Sequence, residues 1–245
     1  MLSFSVIIPT RNRPQYLRGA VESALAQSHP PHEVLVVDDG KGAAQTLHGL
    51  PPVVKVLDNH ERGPVAARIL GVERAEGDVI AFLDDDDWWT DRDYLTKAAA
   101  IFEQGADFCF GDGTLVFDDG RPPLPFAYDA NADTLARDNT ILISAVCYRL
   151  ALHERLGTFD ASLPFYWDWD WYLRVVRSGA VLVHLAEPVV AIRVHAQNMS
   201  GADQEAMRRD NLAGLARKHG LPPIPLKNHL DIAADGTADQ KPSKL

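Results

Sequence analysis

Cysteine is scarce: the chain of 245 residues has two, Cys109 and Cys147, both inside apolar stretches ("DFCF" and "SAVCYRL"). A disulfide scaffold is therefore excluded, and two buried free thiols suit a reducing compartment, so a cytoplasmic location is expected. Long apolar runs are missing too; none approaches the roughly 18 residues of a membrane-spanning helix. The opening "MLSFSVIIPT" lacks the basic start and small-residue cleavage site of a signal peptide. Positive charge is in deficit, with 24 Lys and Arg against 34 Asp and Glu and a formal net charge of -10. Such a surface repels phosphodiester backbones, and no basic aromatic stripe offsets it, so nucleic acid is not an expected partner. The closing "SKL" matches a peroxisomal address only as any three residues can.

Apolar residues are plentiful, at 46% of the chain. They are enough for one sizeable core. Their arrangement is regular in the first half. "FSVIIP", "EVLVVDDG", "VVKVLD" and "DVIAFLD" read as strands, and "RPQYLRGAVESALAQ" and "GPVAARILGVERAEG" as helices. Pro64 fits a first helical turn, and Gly77 the exit. Continuous apolar strands alternating with helices predict a mostly parallel α/β sheet covered on both faces. Ligands of such sheets gather beyond the carboxyl ends of the strands. Those ends carry Pro9-Thr10-Arg11-Asn12, Asp38-Asp39-Gly40 and Asp84 to Asp87.

The second half is less regular. "YLTKAAAIFEQG", "YRLALHERLG", "WDWDWYLRVVRSG" and "DQEAMRRDNLAGLARKHG" read as helices. "DFCFGDGTLVFDDG" reads as a strand pair with a turn, and "AVLVHLAEPVVAIRVH" as two strands. "RPPLPFAYDANADTLARD" is a long loop able to cover a site. One domain over residues 1–220 is expected, with 1–112 and 113–220 as its halves and 221–245 as a flexible tail.

Four groups could carry chemistry. In an extended segment Asp84 and Asp86 point one way and Asp85 and Asp87 the other, so one face could serve a hard cation and a substrate hydroxyl. Four adjacent like charges are tolerable if exposed, and more so with a cation among them. Asp38-Asp39 could accept from a base N–H or a ribose hydroxyl, or simply form a turn. Asp168 and Asp170, two apart on a helix, face different sides, so at most one meets a cleft. His195, after an apolar strand, is either structural or a ligand for a Mn²⁺-like ion.

The order of these segments — "SVIIPTRNRPQYLRGAVESALAQS", "EVLVVDDG", "GPVAARILGVERAEGDVIAFLDDDDWW", "GTFDASLPFYWDWDWYLRV", "RVHAQNMS" — resembles the family 2 glycosyltransferases of GT-A fold over residues 3 to about 200. The resemblance implies an inverting transfer from a nucleoside-diphosphate sugar, UDP favoured, to an acceptor hydroxyl. The acceptor could be a sugar, a lipid-linked sugar reached by peripheral membrane contact, or a small molecule. It implies that Pro9, Thr10 and Arg11 wrap the nucleotide, with Asp39 on the base and Arg68 near the phosphates. Asp84 and Asp85 would line the ribose, Asp86 would bind Mn²⁺ or Mg²⁺ with His195 as a further ligand, and Asp168 would be the catalytic base. Three positions depart from the pattern. Trp167 stands where a glutamate usually precedes the base, Ile69 replaces an asparagine, and "WWTDRDYL" lacks a proline. The first departure keeps Asp170 open as the base. A non-catalytic binding module or a sugar nucleotidyltransferase is the alternative reading.

Overall fold

The computed structural model describes residues 2–195 and 204–235. The "SKL" ending and the part of "RVHAQNMS" beyond His195 lie outside them.

One nine-stranded sheet organises the chain, in the order β3-β2-β1-β4-β8-β6-β9-β5, with β7 paired to β6. The strands β1 (Phe4–Thr10), β2 (Glu33–Asp38), β3 (Val54–Asp58) and β4 (Val79–Phe82) are mutually parallel. β8 (Val146–Arg149) is inserted antiparallel between β4 and β6 (Phe108–Phe117), and β6 runs parallel to β9 (Leu182–Val194). Short β5 (Trp88–Trp89) and β7 (Leu124–Phe126) close the edges antiparallel.

The period of two in the central strands divides the core into two layers. Phe4, Val6, Ile8, Val34, Val36, Val79 and Ala81 point to one face, where they meet α1 (Pro14–Leu25) and α4 (Tyr94–Glu103) through Leu17, Val21, Leu95 and Phe102. Ile7, Leu35, Val37, Ile80 and Phe82 point to the other, against α3 (Pro64–Arg74) and α7 (Trp167–Arg177). Every residue of β1, β2 and β4 is buried, as strands covered on both faces must be. Pro14 and Pro64 begin α1 and α3, where a missing N–H costs nothing. Gly71 lets α3 lie on β1, because a Cβ there would sit 2.5 Å from Ile7 Cγ2.

Three expectations change. "DFCFGDGTLVF" is one strand, not a hairpin. Gly111 and Gly113 sit at a bulge, where Cβ atoms would come within 2.5 Å of the Val189 and Leu142 side chains. The partner is likewise one 13-residue strand, β9, with Pro188 facing Asp112 at the register shift. The stretch read as a loop contains β7 and the short α5 (Ala132–Leu135), opened by an Asn131 capping box.

Residues 221–235, expected in a flexible tail, return to the domain after α6 (Leu150–Leu156), α7 and α8 (Glu205–His219) are in place. They form α9 (His229–Asp235), and Ile232 and Ala233 are buried. Their few apolar residues, Leu221, Ile224, Leu226, Leu230 and Ile232, are spaced among prolines and charges, so no periodic signal marks them, yet each packs on the core. Cys109 and Cys147 are buried free thiols on facing positions of β6 and β8.

Candidate active site

A cavity of about 660 Å³ opens at the carboxyl ends of the parallel strands. That volume suits a cofactor-sized ligand. Pro9, Thr10 and Arg11 from the end of β1, Asp39 after β2, Arg68 from α3, Asp84 to Asp87 after β4 and Asp168 from α7 all line it. His195 lies just behind, with Nε2 3.0 Å from Asp86 Oδ2. Apart from Asp38 and Asp170, every residue singled out in the sequence as a site residue thus lies at this one place.

The four aspartates are not the exposed lip that their charge suggested. After β4 the chain turns at Asp85-Asp86, closed by Asp87 N–H donating to the Asp84 carbonyl at 3.1 Å, and Asp85, Asp86 and Asp87 are buried. Each carboxylate has dedicated partners, which is what makes burial tolerable. Arg68 NH2 donates to Asp84 Oδ1. Thr10 Oγ1 donates to Asp85 Oδ2 at 2.6 Å and Arg13 NH1 to Asp85 Oδ1 at 3.3 Å. Asp86 Oδ2 sits between Arg13 NH1, at 2.6 Å, and His195. Asp87 accepts from Ser144 Oγ at 2.5 Å and from the Arg193 backbone N–H at 3.0 Å. Ser144 Oγ in turn receives the Asp84 N–H at 3.0 Å. Asp87 is therefore a brace tying the turn to the loop before β8 and to β9.

Partnering does not cancel the charge. Burial and the neighbouring Asp86 push the Asp85 carboxyl up to about 6, against Thr10 and Arg13, and burial with Asp86 pushes Asp87 well up. Two guanidinium groups, Arg13 and Arg68, face four adjacent carboxyls. Asp84, Asp86 and Asp87 bring ligand oxygens within 4.8 Å of one another, and an imidazole adjoins Asp86. That set of hard oxygens with one nitrogen and surplus negative charge fits a divalent cation such as Mg²⁺ or Mn²⁺.

At the end of β2 the two acids differ. Asp38 caps the chain behind it, accepting from Gly40 N–H at 2.9 Å and Ala43 N–H at 3.0 Å, and so starts α2 (Ala43–Thr46). Asp39 faces the cavity. Its Oδ1 is held by Asn59 Nδ2 at 2.5 Å and Gly63 N–H at 2.9 Å. Its buried Oδ2 has no hydrogen bond, and the exposed Arg11 guanidinium lies 3.5 Å away as an ion pair.

Asp168 and Asp170 separate as helical geometry requires. Asp168 looks into the cavity, with Oδ2 held by Asn139 Nδ2 at 2.9 Å. Burial pushes its carboxyl up to about 6, although Asn139, neighbouring backbone N–H groups and the Arg68 charge oppose the rise. Asp170 turns away from the cavity and is fully buried against α8, 2.7 Å from both Lys218 Nζ and His219 Nε2 and 3.2 Å from Arg174 Nε. Burial would raise its carboxyl, but His219, Lys218 and Arg174 outweigh it and hold the group below the usual range. Asp170 is thus a packing ion, and the second candidate for the base drops out on position. Trp167, the departure at this motif, is 6% exposed. It packs on Phe82 and Phe159 and carries the Arg68 guanidinium 4.8 Å from its ring centroid. The ring that replaces a carboxylate thus supports Arg68 from beneath.

Several lining residues escaped the sequence reading. Arg13 lies two positions beyond Arg11 in "TRNRP", and only its place at the mouth of α1 turns it toward Asp85 and Asp86. Asn139 comes from a segment read as a loop, and Arg208 from a helix read correctly as a helix but with nothing to say which of its residues meets the cavity. Pro225, Lys227, Asn228, His229 and Ile232 bring the C-terminal segment into the cavity wall.

An α/β sheet of Rossmann type with an acidic turn at its carboxyl edge, faced by a cleft-lining carboxylate from a later helix, defines a class of transferases. Residues 5–144 match the family described as Glycosyl transferase family 2, and the chain belongs to that family. An "Uncharacterized glycosyltransferase YwdF" of Bacillus subtilis is 36% identical over 238 residues, covering 93% of this chain and 88% of that one. An "Uncharacterized glycosyltransferase" of Haemophilus influenzae is 35% identical over 94 residues, 34% of this chain and 36% of the other. Among solved structures, S. aureus TarS 1-349 in complex with UDP-GlcNAc superposes with a TM-score of 0.70 at 22% identity, over 89% of this chain and 66% of that one. The fold is GT-A, and the protein is a glycosyltransferase. Among the described residues no helix is long and apolar enough to cross a membrane.

Proposed function

We propose that the chain transfers a sugar, with inversion, from a nucleoside-diphosphate sugar to an acceptor hydroxyl. The observation that carries this reading is that one cavity holds Asp39, the Asp84–Asp86 turn with Arg68, and Asp168. UDP is the favoured nucleotide. Asp39 Oδ2, which has no hydrogen bond, suits an imide N–H of uracil once Arg11 moves aside, and TarS is a related fold described with UDP and UDP-GlcNAc. Pro9, Thr10 and Arg11 flank the base and ribose, with Asp84 and Asp85 on the ribose side.

Two difficulties make up the barrier. The diphosphate leaves with added negative charge, and an alcohol is a weak nucleophile. Arg68 is fixed by Asp84, Pro64 and Trp167, so its charge is already aimed before the bond breaks. Asp86 and His195, with Asp84, would hold a divalent cation, which when bound supplies Lewis-acid neutralisation of the leaving diphosphate. Asp168 accepts the hydroxyl proton as the acceptor oxygen bonds to the anomeric carbon and the bond from that carbon to the phosphate oxygen breaks. A carboxyl near 6 is a stronger base than an ordinary aspartate and is still ionised at neutral pH.

A thermal-shift series of nucleoside diphosphates with and without Mn²⁺ tests the donor reading. UDP with Mn²⁺ should raise the melting temperature more than ADP, whose base has no ring N–H to offer Asp39, or GDP does. Equal shifts for all, or none, would overturn the assignment of Asp39 and the UDP preference. Turnover that persists unchanged under full chelation would remove the metal from the scheme.

A further inference from the structure

We propose that Asn139 is the positioning residue for the Asp168 carboxylate, holding Oδ2 through its amide so that the other oxygen is the one presented to the acceptor hydroxyl. The proposal rests on the reading of Asp168 as the base.

The geometry is specific. Asn139 Nδ2 lies 2.9 Å from Asp168 Oδ2, and Asn139 is the side chain that hydrogen-bonds this carboxylate among the described residues. An ionised carboxylate only accepts, so the amide orientation is set with nitrogen inward. Its Oδ1 is then buried without a partner. An asparagine kept for packing would be a poor choice in that state, because a buried unpaired carbonyl is destabilising and a leucine of similar volume has none. The use of the residue lies at its nitrogen.

The segment is also built to hold still. Leu135, Thr140, Ile141 and Leu142 are buried around Asn139. Thr140 Oγ1 donates to the Asp129 carbonyl at 3.2 Å. Trp169 Nε1, next to Asp168, donates to the Leu135 carbonyl at 2.7 Å. The first turn of α7 is therefore clipped to residues 135–139 at two points, one of them the carboxylate itself. The other groups that bear on Asp168 are Arg68 from α3 and Tyr166 and Tyr172 on α7, with Arg208 of α8 behind Tyr166. None of these is altered by a change at position 139.

A donor to the ionised form lowers a carboxyl pKa, so its loss should raise it. The test follows the Asp168 carboxyl by ¹³C NMR in protein labelled at aspartate, with the signal assigned by its absence in Asp168→Asn. In Asn139→Leu the titration midpoint should rise by about one pH unit. Asn139→Asp, close to isosteric, should raise it further, because a like charge replaces the donor, and it serves if the leucine variant does not fold. A midpoint within about 0.3 unit of the parent in a folded variant overturns the proposal. So does a fall in melting temperature without a shift, which marks a purely structural role. Full turnover by Asp168→Asn would sink the base assignment and leave the titration result standing, so the two failures are distinguishable.

Discussion

The two halves of the cavity are built on different physics. The side that the proposed function gives to the donor is made of strand ends: Thr10, Asp39 and Asp84 to Asp87 come at or just after the ends of β1, β2 and β4, and the carboxylates among them contact Arg13, Arg68 and His195. The side that the proposed function gives to the acceptor is made of helix turns and irregular segments, with Asn139, Asp168, Arg208 and Lys227 drawn from four segments of the chain. A strand end is aimed by the sheet, whose register is set by every buried residue along it. A helix turn is aimed by whatever packs behind it. Asp168 and Asp170 bring the contrast down to two residues, one carboxyl raised by its surroundings and facing the cavity, the other lowered and facing Lys218, Arg174 and the His219 ring.

The sharpest way to break that contrast is Asp168→Asn. It keeps shape and removes the basic oxygen, so turnover should fall by about 10³-fold while the shift produced by UDP and Mn²⁺ is retained. Loss of nucleotide binding to the same degree would mean that the two sides are not separate. Asp170→Asn should do the reverse. Lys218, His219 and Arg174 lose the buried carboxylate that ties them together, and stability should drop by about 2 kcal/mol, read by urea denaturation. The protein that remains folded should turn over at close to the parental rate.

The same division explains how much could be read in advance. Strands buried on both faces leave long apolar runs in the sequence, and the residue after such a run is at a strand end wherever the run packs. Asp39 and the Asp84–Asp86 turn were legible for that reason, whereas Arg68, inside α3, was implied only by the family resemblance; the burial of the acids was not legible, since partners such as Thr10 and Arg13 come from 70 or more residues away. The helical period separated Asp168 from Asp170 but did not say which one met the cavity. That depends on Lys218 and His219 of α8, which nothing local announces. Asn139 and residues 221–235 were illegible because their places are set wholly by distant packing. The glycines of β6 misled, since "GDG" marks a turn in most chains and a close strand approach in this one.

Lowering the pH should separate activity from stability, with a smaller effect. The raised carboxyls near 6, Asp168 and Asp85, are costly to the fold when ionised, and that cost is relieved as pH falls through 6 toward their unfolded value. The lowered groups behave oppositely: Asp170 and Asp160, the latter held at about 2 by Lys218 and Ser162, keep contributing until the pH falls below the ordinary carboxylate range. From pH 7 to pH 5 the ionised fraction of a base near 6 drops about tenfold, and turnover should follow it. The buried His153 and His229, held at about 4, lower the melting temperature over the same interval, so turnover is measured well below that temperature and must recover fully when the pH is returned to 7; a loss that does not recover would show unfolding, not titration of the base.

The smallest expected effect concerns the C-terminal wall. Lys227 is 25% exposed and pairs with Asp138 at 3.0 Å and Asp235 at 2.9 Å, joining α9 to the segment that carries Asn139. Partly solvated pairs of this kind contribute little, so Lys227→Ala should lower stability by at most about 1 kcal/mol. Removal of the clasp should act mainly on the side of Asn139 and Asp168, because residues 221–235 make no hydrogen bond or ion pair with the Asp84–Asp87 turn among the contacts described and meet it only through the charge of Asp84 felt at His229. The nucleotide-induced thermal shift should therefore be unchanged within error, and any kinetic effect should fall on the KM of the acceptor, not that of the donor. A weakened response to UDP and Mn²⁺ would mean that the C-terminal segment reaches across to the strand ends and that the cavity works as one unit instead of two.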